Sequence, residues 1–218
     1  MTNFAYQLNN IKLTYGQEFV LNIPNLNIEQ GTILGVTGSN GSGKTTLLKI
    51  LGFLLIPQHG NIKYFNQISD HKNLQKLRNK VTMLFQDTLL LKRTVYENII
   101  YGLKIRKCAK ILEQVNNVLN TVGLNYYNFI YRKYYQLSNG EAKRVALASR
   151  IILQPKILLL DEPFSNVDKI SRQLIIQALQ KMLTEKQMTI IISSHDTINL
   201  DRITKKIIEL KDGQLLEN

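Results

Sequence analysis

Apolar and polar positions fall into two textures along this chain. The first 36 residues alternate in short runs that read as strands, Ala5–Tyr15, Phe19–Leu26 and Thr32–Val36, broken by Gly16 and Gly31. A Gly-rich turn at Gly38–Gly43 follows, and then a helix over about Thr45–Phe53. Asn61–Phe65 and Val81–Phe85 read as further strands. After Gln86 the spacing becomes helical over Thr94–Leu103, Cys108–Val122 and Glu141–Leu153, with no strong strand among them. Two continuous apolar runs come next, Ile157–Leu160 and Thr189–Ser193, as suits a parallel sheet covered on both faces. Between them Ser171–Thr184 sets Leu174, Ile175, Ala178, Leu179 and Met182 at helical spacing. Lys206–Leu210, Asp212-Gly213 and Gln214–Leu216 predict a hairpin with a type I′ turn. The pattern therefore predicts one domain, 1–218, with a sheet-based α/β core from 1–86 and 156–218 and a helical insertion at 87–155.

Composition narrows the class. At 218 residues, with 44% apolar and 20% charged, the chain is an ordinary folded domain. Its single cysteine, Cys108, excludes an intramolecular disulfide and a cysteine-rich zinc site. No apolar run approaches the roughly 18 residues of a membrane span, and the polar start at Met1–Gln7 lacks the pattern of a secretory signal. Lys+Arg number 28 against 16 Asp+Glu, a net charge of +12. That excess suits an anionic partner: nucleic acid, an acidic membrane face or phosphates. The abundance of Lys, Ile and Asn is equally what an adenine- and thymine-rich genome produces, and both readings stand at this point.

The chemistry sits in two places. Gly38-Ser39-Asn40-Gly41-Ser42-Gly43-Lys44-Thr45 meets G-x-x-x-x-G-K-[ST] at every fixed position, between an apolar strand and a helix. Glycines let backbone N–H groups turn inward onto phosphate oxygens, and the helix start aims its positive end at the same anion. Lys44 can reach the β- and γ-phosphates, and the Thr45 hydroxyl can hold Mg²⁺. Ile157–Leu160 ends in Asp161 and Glu162, which puts Asp161 at the carboxyl end of a buried strand, where ligands of α/β sheets bind. Asp161 suits the Mg²⁺ shell, and Glu162 suits a base that polarises the attacking water.

With shorter motifs in the same order, these residues resemble the nucleotide-binding subunit of an ABC transporter over essentially the whole chain. Leu137-Ser138-Asn139-Gly140-Glu141 is similar to the family signature, and Ser165-Asn166-Val167-Asp168 to the D-loop. Gln86 resembles the Q-loop glutamine, His195 the switch histidine, and Tyr15 the aromatic residue that stacks on adenine. The resemblance implies a P-loop NTPase of ABC type, with a RecA-like core, an antiparallel β subdomain and a helical subdomain. It implies two copies sandwiching two ATP molecules, each held by Gly38–Thr46 (Thr46 included) of one copy and Ser138–Glu141 of the other. Mg²⁺ would lie with Thr45, Gln86 and Asp161; Glu162, His195 and Gln86 would serve hydrolysis, and Asp168 would act across the pair. Three departures stand out. Asn139 replaces the first signature glycine, where its tolerance of left-handed backbone would let the turn survive. Glu141 replaces Gln, and Ser149-Arg150 departs from the usual Arg-Ala order.

The expected role is the motor of a transporter at the cytoplasmic face of the cell membrane, held peripherally by a separate transmembrane permease. A solute-binding protein is expected in the complex, and no nucleic acid. Stand-alone chains of this kind are typical of importers. Thr94–Leu103 resembles importer subunits for oxyanions and other small solutes, and Phe164–Asp168 followed by Ser171 is similar to tungstate-type importer ATPases, so a small solute such as an oxyanion is the expected cargo. Phe85, Leu89, Leu90, Leu91, Val95, Tyr96, Ile99 and Tyr101 are candidates for the groove that receives the permease. The alternative suggested by the charge is a soluble ABC ATPase acting on nucleic acid or ribosomes.

Overall fold

A computed structural model describes residues 3–15, 18–69, 73–108, 112–204 and 206–216, with backbone alone at 15, 18 and 19. Its first elements are two twelve-residue antiparallel strands, β1 (Phe4–Tyr15) and β2 (Glu18–Glu29). There follow β3 (Ile33–Thr37), helix α1 (Lys44–Leu51), β4 (His59–Tyr64), β5 (Gln67–Ile68), α2 (Leu74–Arg78) and β6 (Val81–Leu84). Helices then succeed one another: α3 (Val95–Ile105), α4 (Leu112–Thr121), α5 (Tyr126–Phe129) and α6 (Asn139–Ile151), with a 3-10 turn at Tyr134–Gln136. The chain returns to the sheet with β7 (Ile157–Asp161), α7 (Lys169–Lys186), β8 (Thr189–Ser193), α8 (Thr197–Asp201), β9 (Lys206–Lys211) and β10 (Gln214–Leu216).

The strands form one sheet in the order β5-β4-β1-β2-β10-β9-β3-β8-β7-β6. The half from β9 to β6 is parallel, and the half from β5 to β2 is antiparallel. Every residue of β7 and β8 is buried, which explains their unbroken apolar runs. Their side chains alternate between faces. Leu158, Leu160, Ile190 and Ile192 join a core built with α3, α4, α6 and α7. Ile157, Leu159 and Ile191 join the opposite core, with α1 and the antiparallel strands. The helices between β6 and β7 thus share their core with one face of the sheet. On the other face, the buried Tyr6 hydroxyl donates to the Leu51 carbonyl at 2.6 Å, tying β1 to the end of α1. Burial holds the Tyr6 phenol well above its ordinary range.

Several elements differ from the sequence reading. β5, α2, α5 and α8 are too short to leave a periodic trace. The stretch beginning at Cys108 is not one helix. Lys107 takes φ +54°, the Cys108 N–H reaches the Leu103 carbonyl at 3.0 Å, and the Lys107 N–H reaches Lys104 at 3.1 Å. That pair is a Schellman ending, so Cys108 closes α3. The final hairpin is as expected: Asp212 and Gly213 take φ +46° and +75°, the signs a type I′ turn needs.

Leu159 is fully buried and faces α1, where its side chain leaves Gly52 no room for a Cβ without a tight contact. Leu159→Ala is expected to cost about 3 kcal/mol. Urea unfolding checks this, and a loss under about 1 kcal/mol would show that β7 does not anchor α1.

Candidate active site

Three parallel strands end side by side. Val36 of β3 pairs with Ser193 of β8, which pairs with Asp161 of β7. The chain leaving β3 enters Gly38–Gly43, where Gly38, Gly41 and Gly43 all have positive φ. At Gly38 a Cβ would overlap the Leu210 carbonyl, so any larger residue would force the loop out. Gly43 caps α1 with no side-chain hydrogen bond, and the first turn of α1 carries no acidic residue. The helix start therefore offers free N–H groups and an uncompensated positive end. Lys44 folds over the loop, donating to the Gly38 and Ser39 carbonyls at 2.8 and 2.9 Å. Ser42 Oγ is buried with no hydrogen-bond partner among the described residues. Ser39 and Asn40 are exposed at the loop's rim, and Thr46 is half-buried in the first turn of α1. Uncapped helix, inward loop and lysine together suit a polyphosphate.

Asp161 is the junction. Its Oδ2 accepts from the Thr45 hydroxyl at 2.8 Å and its Oδ1 from the Ser193 hydroxyl at 2.6 Å. A hydroxyl and a carboxylate in this arrangement form the hard-oxygen set that suits Mg²⁺. Glu162 follows with φ +47°, a conformation that costs a non-glycine residue energy and persists where surroundings enforce it. Its N–H donates to the Ser193 carbonyl at 3.0 Å. Its Oε1 accepts the His195 backbone N–H at 3.1 Å, and its Oε2 lies 2.9 Å from His195 Nδ1. Glu162 is buried while His195 is largely exposed. The carboxylate is thus gripped at both oxygens and turned toward the strand ends.

The signature residues lie elsewhere. Ser138 caps α6, accepting the Glu141 N–H at 3.2 Å, while Glu141 accepts the Ser138 N–H at 2.8 Å. This reciprocal capping box leaves the Ser138 hydroxyl proton free to donate outward. Arg132 Nη1 stands 3.6 Å from Glu141 Oε1. Asn139 is the first residue of α6 and is absent from the positive-φ residues, so the left-handed tolerance expected of it is not called on. Packing alone requires a glycine at 140: a Cβ there would overlap Ser171 Oγ and Asp168 Oδ2. Asp168 caps α7, its Oδ1 accepting the Ser171 N–H at 2.8 Å, and that bond holds its carboxyl below the usual range. Gln86 is exposed beyond the end of β6, with its carbonyl bound by Lys143 Nζ at 2.6 Å. The side chain of Tyr15 lies outside the described residues.

The structure therefore brings together Gly38–Thr46, Asp161, Glu162 and His195, and holds Ser138–Glu141 on the start of α6 against α7. Three participants were not singled out in the sequence: Ser193, Lys143 and Arg144. Arg144 Nη1 donates to the Gly123 carbonyl at 2.8 Å and the Val122 carbonyl at 3.2 Å, locking α6 to the end of α4.

Comparison with known proteins matches residues 21–165, more than half of the chain, to the family described as ABC transporter. This chain belongs to the ABC transporter family. It is similar to the tungstate uptake system ATP-binding protein TupC of Peptoclostridium acidaminophilum, 34% identical over 96% of each chain. It is also similar to the methionine import ATP-binding protein MetN of Campylobacter jejuni, 33% identical over 96% of this chain and 69% of that one. Among solved structures, cbiO1 of Clostridium perfringens superposes with TM-score 0.89 at 28% identity, over 99% of this chain and 88% of that one. A dimeric ATP-binding cassette in a post-hydrolysis state with ADP and Pi gives 0.87 at 32%, over 97% of both. This ABC protein is an ATP hydrolase of the family's α/β cassette fold.

Gly140→Ala is expected to loosen the Asp168 cap and to destabilise the fold by about 2 kcal/mol. The urea midpoint reports it, and a midpoint equal to wild type would mean that α6 and α7 do not meet this closely.

Proposed function

We propose that this chain is the motor subunit of an importer, working as a head-to-tail pair on a separate membrane permease. The observation that carries the reading is the grip on Glu162: a buried carboxylate held by the His195 amide and ring, beside the Thr45–Asp161 oxygens and the phosphate loop. In that position Glu162 orients a water and takes its proton, while His195 keeps the carboxylate from turning away. Thr45, Asp161 and Gln86 would hold Mg²⁺, which when bound neutralises charge building on the phosphates. Lys44 would exchange its two loop carbonyls for phosphate oxygens.

Ser138–Glu141 take their contacts from Arg132, Asp168 and Ser171, so each copy carries a phosphate loop and, apart from it, a signature helix start. A second copy placed head to tail supplies the missing half, with the Ser138 hydroxyl and the start of α6 facing the γ-phosphate. The relatives described as dimeric cassettes support the pairing.

Among the described residues no helix is long and apolar enough to cross a membrane, and the relatives named as ATP-binding proteins of uptake and import systems support a separate membrane-spanning partner. Of the eight apolar residues proposed for the docking groove, Val95 and Ile99 are core, and Leu90 and Tyr96 pack against it. Phe85, Leu89, Leu91 and Tyr101 remain exposed and support docking there. A cavity of about 230 Å³ opens beside Phe85 and Leu54, with Arg78, Arg106 and Arg150 in its lining. The names of the relatives, covering tungstate uptake and methionine and sulfate/thiosulfate import, support import; the tungstate relative, matched over 96% of each chain, supports an oxyanion as cargo.

Glu162→Gln is expected to bind ATP, accumulate as a dimer in size-exclusion chromatography and lose at least about a hundredfold in hydrolysis. Unchanged turnover would remove Glu162 as the base. Detergent co-purification of the tagged wild-type chain is expected to bring down one integral membrane protein and, with it, a tungstate-binding protein. A chain recovered free of any membrane protein would contradict the transport reading, and a binding protein for another solute would contradict the cargo.

A further inference from the structure

We propose that Lys143 is a positioning residue that bolts the signature helix to the glutamine loop, so that movement of the start of α6 carries Gln86 with it. The inference rests on the ATPase reading of the site and adds a mechanical part to it. Lys143 is the fifth residue of α6, one turn beyond Ser138, and is 3% exposed. A buried ammonium is costly unless it is paired. Its compensation is the 2.6 Å bond to the Gln86 carbonyl and the nearby carboxylates of Asp87, Asp161 and Glu162. The charge thus has partners on the loop and on the catalytic strand, and none on its own helix.

A second contact repeats the design. Arg150 lies seven positions further along α6, which returns it to the same face after about two turns. Its Nε donates to the Met83 carbonyl of β6 at 3.0 Å. Two cations from one helix face therefore hold two carbonyls three residues apart, one in the strand and one in the loop that leaves it. The displaced Ser149-Arg150 order has its physical account here: Ser149 turns its hydroxyl back to the Ala146 carbonyl at 2.7 Å, and Arg150 points to the strand. Arg150 grips regular β structure and serves as a fixed pivot. Lys143 grips the exposed loop close to the signature end, where contact with a second copy's nucleotide would push. The direction of transmission follows: from Ser138 through the first turns of α6 to the Gln86 backbone.

The test compares Lys143→Met, which keeps the stem and removes the donor and charge, with Lys143→Arg, which keeps both. The first readout is amide exchange of residues 86–89 in nucleotide-free protein. The second is the Mg²⁺ concentration giving half-maximal hydrolysis at fixed ATP. Lys143→Met is expected to raise exchange of that segment and the Mg²⁺ requirement about tenfold each, the size of one charged hydrogen bond, with Lys143→Arg within about twofold of wild type. Wild-type values in Lys143→Met, or a rise in exchange spread evenly over α6 and β7, would overturn the proposal. If Lys143→Met does not fold, Lys143→Gln decides on the same readouts: values between those of wild type and tenfold support the bolt, and wild-type values overturn it. A wild-type chain that neither binds nor hydrolyses ATP would instead fail the ATPase reading.

Discussion

The structure depends on the Asp161 carboxylate at the end of β7. It is shared between the Thr45 hydroxyl of α1 and the Ser193 hydroxyl of β8, and so joins the ends of separate elements at one point. The parallel register makes this arrangement unavoidable: with Asp161 beside Ser193 and Ser193 beside Val36, the residues leaving β3 must turn within reach. The phosphate loop, the metal-suited oxygens and the gripped Glu162 carboxylate all follow from the carboxyl ends of these neighbouring strands. These polar groups are affordable because the strands behind them are wholly apolar, with a packed core on each face.

The helical segment uses that edge as a reference. Gly140 lets the start of α6 press against the Asp168–Ser171 cap of α7, so the signature and the D-loop sit as one block. Arg144 fastens this block to the end of α4, and Lys143 and Arg150 fasten it to the β6 end. Of these fastenings, the one through Lys143 reaches the exposed loop that carries Gln86, which makes it the point where motion of the block becomes motion at the site.

Much of this was legible in the sequence, for physical reasons that can be named. Two runs, Ile157–Leu160 and Thr189–Ser193, are buried on both faces and announced themselves as parallel strands. Gly38–Thr45 was legible because the loop's backbone demands particular residues at particular spacing. The Asp212-Gly213 turn was legible because its φ signs restrict it. Cys108 was misplaced because a left-handed Lys107 ends the helix without a glycine to mark it. Asn139 was given the wrong constraint: the tight packing belongs to Gly140, and it comes from α7, far away in sequence. Lys143 and Arg150 were invisible as bolts because lysine and arginine on a helix look like a solvated face until tertiary packing buries the first and half-buries the second. Lys143, Arg144 and Arg150 each direct their charge onto a backbone carbonyl of the protein itself, so three of the 28 Lys and Arg residues behind the net charge of +12 serve internal packing.

The central claim is that a complete ATPase site requires two copies, since one copy holds its phosphate loop and its signature on separate elements. The most direct test is the specific ATPase activity of purified wild-type chain as protein concentration is varied at saturating Mg²⁺ and ATP. The composite site predicts activity per chain that rises with concentration and levels off as light scattering reports dimer. Activity per chain that stays constant through dilution, while scattering reports monomer throughout, would contradict it.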